Sequence, residues 1–265
     1  MTNTVAANQL KVGLSLPYTE PDDLQNIHDI PECFELLELS GELVAGLDKL
    51  RSEHSVLREF ELVNFRNLLP ASLTGQLTTA GSAIVNEYKK RLRELFALAH
   101  CCHAECVSID PDWEAVLEDD SRIKVLEDVL RSSAGDRHLY NLNLALSVRF
   151  PGTGQTPLTE SVKLLHKLSG YRVGLALDIN PHELLNSNID WAKLLKHFRF
   201  DTSCIRFCYL SELGNKLLYK HIEPIIKVIK SWQREINVYI APSGRADLAE
   251  LAETAQAINT ESSAL

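Results

Sequence analysis

The chain has 265 residues, 45% hydrophobic and 24% charged, the balance of a globular protein with a sizeable core. Its net charge of −9 and pI near 5.5 speak against nucleic-acid binding, which relies on clustered Lys and Arg, and no basic run occurs. No segment approaches the roughly 18 apolar residues of a membrane span, so no membrane role is expected.

The opening residues, MTNTVAANQLKVGLSLP, lack a basic start followed by a long apolar stretch, so they do not read as a signal peptide. Six cysteines in a chain of this length do not make a disulfide scaffold. Cys204 and Cys208 lie in an apolar, strand-like run that suits reduced core thiols. The expected location is cytoplasmic.

Short apolar runs alternate with longer stretches of helical spacing from one end to the other. Strands are predicted at 11–16, 34–39, 60–65, 106–109, 141–148, 173–178, 205–210 and 237–240. After the first strand the connection is short, with barely two helical turns over 22–27. The longest helix is expected over about 81–99. The stretch CCHAEC at 101–106 follows it, at the bottom of the fold, and its spacing matches no standard zinc pattern. Further along, Trp191, Leu194, Leu195 and Phe198 fall on one helical stripe. So do Ile222, Ile225, Ile226 and Ile229, and near the end Leu248, Leu251, Ala252 and Ala255.

Strands alternating with helices imply right-handed crossovers and a parallel sheet. Runs such as VGLALD are apolar on both faces, as when helices cover the outside and packed side chains fill the inside. Eight such units predict an α/β fold, a single (β/α)₈ TIM barrel over residues 1–258, with a polar tail at 259–265. A doubly wound open sheet is the alternative, but no G-x-G-x-x-G follows the first strand.

Barrels of this build carry their sites at the C-terminal ends of the strands. Just past those ends stand Tyr18, Ser40, Asn64 with Arg66, Asp110 with Asp112, Arg149, Asp178 with His182, Glu212, and Ser243 with Arg245. VGLALDINPH is the most suggestive segment. An apolar strand ends on Asp178 and His182 follows after Pro181, so a carboxylate and an imidazole share one strand end. They could ligate a metal or act as base and acid, or Asp178 could simply cap the loop. Ser243, Gly244 and Arg245 open the last helix and could hold a phosphate, or form an ordinary turn. Arg149 suits a carboxylate or phosphate of a ligand, and equally a pair with Asp178 or Glu212. Trp113 and Tyr209 are further candidates for the mouth.

The order of segments resembles the xylose isomerase-like barrels, which hold sugar isomerases, sugar and cyclitol epimerases or dehydratases, and endonuclease IV. The resemblance spans nearly the whole chain and rests on FELLEL, LALSVRFPG, GLALDINPHEL and IRFCYLSELG. It implies one or two divalent metals held by carboxylates and His at the ends of strands five to eight. Here Ser147 stands where the fifth-strand Glu is usual, and Asp110 where a fourth-strand His is common. Tyr209 takes the seventh-strand His position, with Glu212 where an Asp is usual, and Ala241 stands for the eighth-strand Glu. Asp178 alone matches, and His182 lies one position beyond the usual Asp-x-x-His spacing.

Most ligands of a tight divalent metal are therefore absent, and no metal residue is assigned. A rebuilt oxygen site from Asp110, Asp178 and Glu212 stays open. Two functions follow. One is a sugar or cyclitol (phosphate) isomerase or epimerase, with Asp178, His182 and Glu212 as the catalytic groups. Asp110, Arg149, Tyr209, Ser243 and Arg245 would then bind a sugar-like substrate. The other is a non-catalytic barrel that binds a small ligand or a partner, and a homodimer is left open.

Overall fold

The computed structural model describes residues 10–17, 29–40, 60–66, 82–111, 113–118, 120–151, 156–168, 171–208, 215–242 and 248–262. Eight strands pair in chain order and close into a barrel, every pair parallel. They are β1 (Leu10–Pro17), β2 (Leu36–Ser40), β3 (Leu62–Arg66), β4 (Cys106–Ile109), β5 (Asn143–Phe150), β6 (Val173–Ile179), β7 (Thr202–Cys208) and β8 (Ile236–Ala241). The described helices are α1 (Ser82–Cys101), α2 (Trp113–Leu117), α3 (Asp120–Ser132), α4 (Ala134–Tyr140) and α5 (Thr156–Lys167). They continue with α6 (Pro181–Leu185), α7 (Trp191–His197), α8 (Asn215–Lys230) and α9 (Leu248–Ser262). The expected barrel is the observed one.

Helices form where one face can be buried. In α1 the buried Tyr88, Leu92, Leu95, Phe96 and Ala99 repeat at helical spacing. On its other side Arg91 bridges Glu87 and Glu94, one turn away in each direction. The predicted isoleucine stripe of α8 is wholly buried. The last helix continues through Ser262, into the segment expected as a tail. The short helix expected over 22–27 lies outside the described residues.

Strand β7 begins earlier than its apolar run suggests, at Thr202. The polar Thr202 is tied down by its own hydroxyl, which donates to the Phe198 carbonyl at 2.8 Å, and the β6–β7 register shifts between Leu175 and Ala176. Apolar counting cannot see either device.

Inside the barrel, alternate residues of each strand stack in layers. Leu36, Leu62, Cys106, Ala145, Ala176, Cys204 and Tyr239 form one apolar cluster, separate from the main core between strands and helices. Gly13 belongs to this level for a steric reason. A Cβ there would stand 2.6 Å from Leu36 Cβ and 2.8 Å from Tyr239 Cδ1. Two residues further along their strands come Glu38, Asn64, Ser108, Ser147, Asp178 and Arg206, with Ser15 beside Glu38. The next level in that direction is the C-terminal mouth.

Candidate functional site

A buried guanidinium forms the centre of the polar layer. Arg206, in the middle of β7, has no solvent exposure. Its Nε and Nη2 donate to the two oxygens of Glu38 at 2.6 and 2.7 Å, a two-pronged pair across the barrel. Nη1 donates to Asp178 Oδ1 at 3.0 Å and to Ser147 Oγ at 3.2 Å, and Nη2 also reaches the Ser108 hydroxyl. Four strands besides β7 thus send an oxygen to one cation.

Arg66, at the C-terminal end of β3, completes the arrangement. Its Nη2 donates to Asp178 Oδ2 at 2.8 Å, and its buried Nε has no hydrogen-bond partner among the described residues. Asp178 therefore sits between two guanidiniums, one on each oxygen. Its side chain and that of Arg66 keep 15% and 17% exposure, so this pair faces the mouth while the Glu38–Arg206 pair does not. Two carboxylates and two guanidiniums balance in charge.

The electrostatics follow from burial and pairing. Burial alone would push the Glu38 carboxyl up, but the Arg206 guanidinium, then Arg66 and the Ser15 hydroxyl, hold it below the usual carboxylate range. Burial opposes the charge of Arg206, and Glu38 more than restores it. Burial likewise opposes Arg66, and Asp178 raises it. Burial pushes the Cys204 and Cys208 thiols up to about 12, which makes them inert core groups.

Below the cation, Asn64 organises the strand starts. Its amide donates to the Tyr239 hydroxyl at 2.6 Å, while its oxygen accepts from the Cys106 and Glu105 backbone N–H groups at 2.9 and 3.2 Å. Burial raises the Tyr239 phenol well above its ordinary value, so it stays neutral.

The structure spreads the other candidates around the rim. Asp110 follows β4 directly, exposed, near enough to the buried Tyr88 phenol that its charge, after burial, raises that group. Arg149 pairs with Glu183 of α6 rather than with Asp178. The loop cap is Asn180, not Asp178: its Oδ1 accepts from the His182 and Glu183 backbone N–H groups at 3.1 and 3.4 Å. His182 is exposed on α6, with Nε2 3.3 Å from the Asn186 amide and its ring 6.3 Å from that of His221. Trp113 donates from Nε1 to the Ser147 carbonyl at 2.9 Å, which ties α2 to β5. Tyr209, Glu212, Ser243, Gly244 and Arg245, with Tyr18 and Asp112, lie outside the described residues.

Sequence reasoning found Asp178 and noted Arg66, and it missed Glu38 and Arg206. The missed signal was parity. Both charges sit inside apolar strands two residues on from an interior residue, Leu36 for one and Cys204 for the other, and so share its face.

A divalent metal does not fit the described residues. No group of three or more His, Cys, Asp or Glu side chains gathers among them to hold one. The two converging carboxylates already bind guanidiniums, and a metal beside Arg206 would face a fixed like charge.

No protein-family model matches the chain, and no curated protein matches it. Solved structures do. The 3-keto-D-glucoside 4-epimerase of E. coli superposes with a TM-score of 0.68 at 12% identity, covering 95% of this chain and all, 100%, of its own. A D-psicose 3-epimerase from Clostridium cellulolyticum H10 gives 0.68 at 12%, covering 96% and 98%. An L-ribulose 3-epimerase gives 0.66 at 14%, covering 94% and 93%. At such identities the likeness is one of fold. The chain shares the closed, parallel, eight-stranded barrel fold of these three epimerase structures.

Proposed function

We propose that this chain is a barrel of the sugar isomerase or epimerase type, which takes a polyhydroxylated ligand, a sugar or cyclitol, free or phosphorylated, at its C-terminal mouth. The observation that carries the reading is the Arg66–Asp178 pair. It is a convergent, half-open polar group at the strand ends, above an interior that is otherwise filled. The names of the three structures above, each a sugar epimerase, support the ligand class.

Arg66 is a cation at the mouth, suited to polarise a carbonyl or hold an anionic group. Asp178 spends one lone-pair direction of each oxygen on a guanidinium and keeps the others for a ligand hydroxyl or an abstracted proton. His182 and Glu212 are the proposed acid–base partners, with Asp110, Arg149, Tyr209, Ser243 and Arg245 around the ligand. The acidic net charge favours a small ligand over nucleic acid, and the free cysteines suit a reducing, cytoplasmic setting. The barrel domain is assigned to 1–258.

One observation favours a second reading, ligand binding without turnover: both oxygens of Asp178 already accept guanidinium N–H groups. Incubation with ketoses, cyclitols and their phosphates in D₂O, followed by NMR, separates the two. Loss of a ligand C–H signal that Asp178→Asn abolishes is the expected result. Binding without exchange would establish the second reading, and no binding of any sugar would sink both.

A further inference from the structure

The polar layer has the composition of a hard-cation site. Two carboxylates, Glu38 and Asp178, and two hydroxyls, Ser108 and Ser147, converge from β2, β6, β4 and β5 on one buried point. Oxygen sets of this kind bind Mg²⁺, Mn²⁺ or Ca²⁺. Here the point is filled by the guanidinium of Arg206, fixed to the backbone of β7 and sealed from solvent. Ordinary packing does not require this. A buried ion pair is no more stabilising than apolar residues of the same volume, and the layer immediately below is built from such residues.

We propose that the barrel centre is a cation site occupied by the chain's own Arg206, a tethered charge in the place of an exchangeable divalent ion. The tether does two things a bound ion would not. It makes the charge independent of metal supply, and through Nη1 on Asp178 it orients the carboxylate that holds Arg66 at the mouth. Arg206 itself is out of reach of any ligand, so it is a positioning residue. The inference rests on the centre alone and holds whichever ligand the mouth takes.

Removing the tether must then leave an oxygen-lined cavity in which Glu38 has lost its partner and Asp178 keeps only Arg66. The test is melting of the wild-type chain and of Arg206→Ala in chelator and in Mn²⁺, with metal content measured on both. The wild type is expected to carry no stoichiometric divalent metal and to melt identically in either buffer. Arg206→Ala is expected to melt lower in chelator and to gain several degrees in Mn²⁺, a gain lost in the Glu38→Gln, Arg206→Ala double variant. A merely structural arginine would give the fall without the Mn²⁺ gain, which overturns the proposal. So does a wild-type chain that holds a metal or is stabilised by Mn²⁺. If Arg206→Ala does not fold in chelator, refolding it with and without Mn²⁺ decides in the same way: recovery in Mn²⁺ alone supports the site, and failure in both overturns it.

Discussion

Arg206→Met keeps an unbranched stem and deletes the guanidinium with its charge, leaving Glu38 buried without its partner. Glu38, 2% exposed, must then remain charged without a partner or take up a proton. Isolated buried charge costs several kcal/mol, and breaking a buried pair by removing one member costs roughly 3–5 kcal/mol. Protonation sets the ceiling. From the ordinary value of 4.5, proton uptake at pH 7 costs about 3.4 kcal/mol, at 1.36 kcal/mol per pH unit. At pH 5 the same uptake costs about 0.7 kcal/mol. The wild type does not share this dependence over that range. Its Glu38 value is lowered in the folded chain, so the pair's contribution is complete above the ordinary value and is lost only as pH falls through the lowered one. The variant should therefore lose about 3–4 kcal/mol at pH 7, a fall of about 7–14 °C in melting midpoint for a chain of this size. Most of that penalty should disappear by pH 5. Urea unfolding of both chains at pH 7, 6 and 5 measures it. A penalty below about 1 kcal/mol at pH 7, or one that stays constant with pH, would refute the reasoning.

Three more outcomes follow from the interior. Gly13→Ala places a methyl 2.6 Å from Leu36 Cβ and 2.8 Å from the Leu36 carbonyl, and backbone cannot yield cheaply there. Urea unfolding should show a loss of about 1–3 kcal/mol, and an unchanged midpoint would mean the barrel is looser than described. Asn64→Leu strips partners from two backbone N–H groups and the Tyr239 hydroxyl, and should cost about 2–3 kcal/mol, whereas Tyr239→Phe should cost about 1 kcal/mol. Equal losses would show that Asn64 does not organise the start of β4. In thiol labelling at neutral pH, exposed Cys101 should react first, and Cys106, Cys204 and Cys208, which burial holds protonated, only on unfolding. Fast native labelling of Cys208 would contradict the closed interior.

The fold was legible because parallel strands covered on both faces must be apolar throughout, and helices on a barrel need only one apolar stripe. Strand β4 was located at its observed bounds, and the Ile222–Ile229 stripe is buried as spaced. The site was half legible. Asp178 ends an apolar strand, and the rule that barrels work at their strand ends points straight to it. Its partners are a matter of tertiary structure. Glu38 and Arg206 are 168 residues apart, and only closure of the barrel brings β2 opposite β7. Both charges fell inside predicted strands, but nothing within a single strand marks a charge as half of a buried pair. The pairing expected of Arg149 failed in the other direction. Its partner Glu183 lies just beyond the cap that Asn180 forms, and that turn was read through Asp178 instead.

The most direct test of a sugar-binding mouth built on a guanidinium rather than a metal is melting of the wild type against ketoses, cyclitols and their phosphates in chelator, repeated on Arg66→Met. The account predicts that at least one such ligand raises the midpoint without any divalent ion, and that the rise is lost when Arg66 is replaced. A rise that needs Mn²⁺, or one that survives undiminished in Arg66→Met, would contradict it.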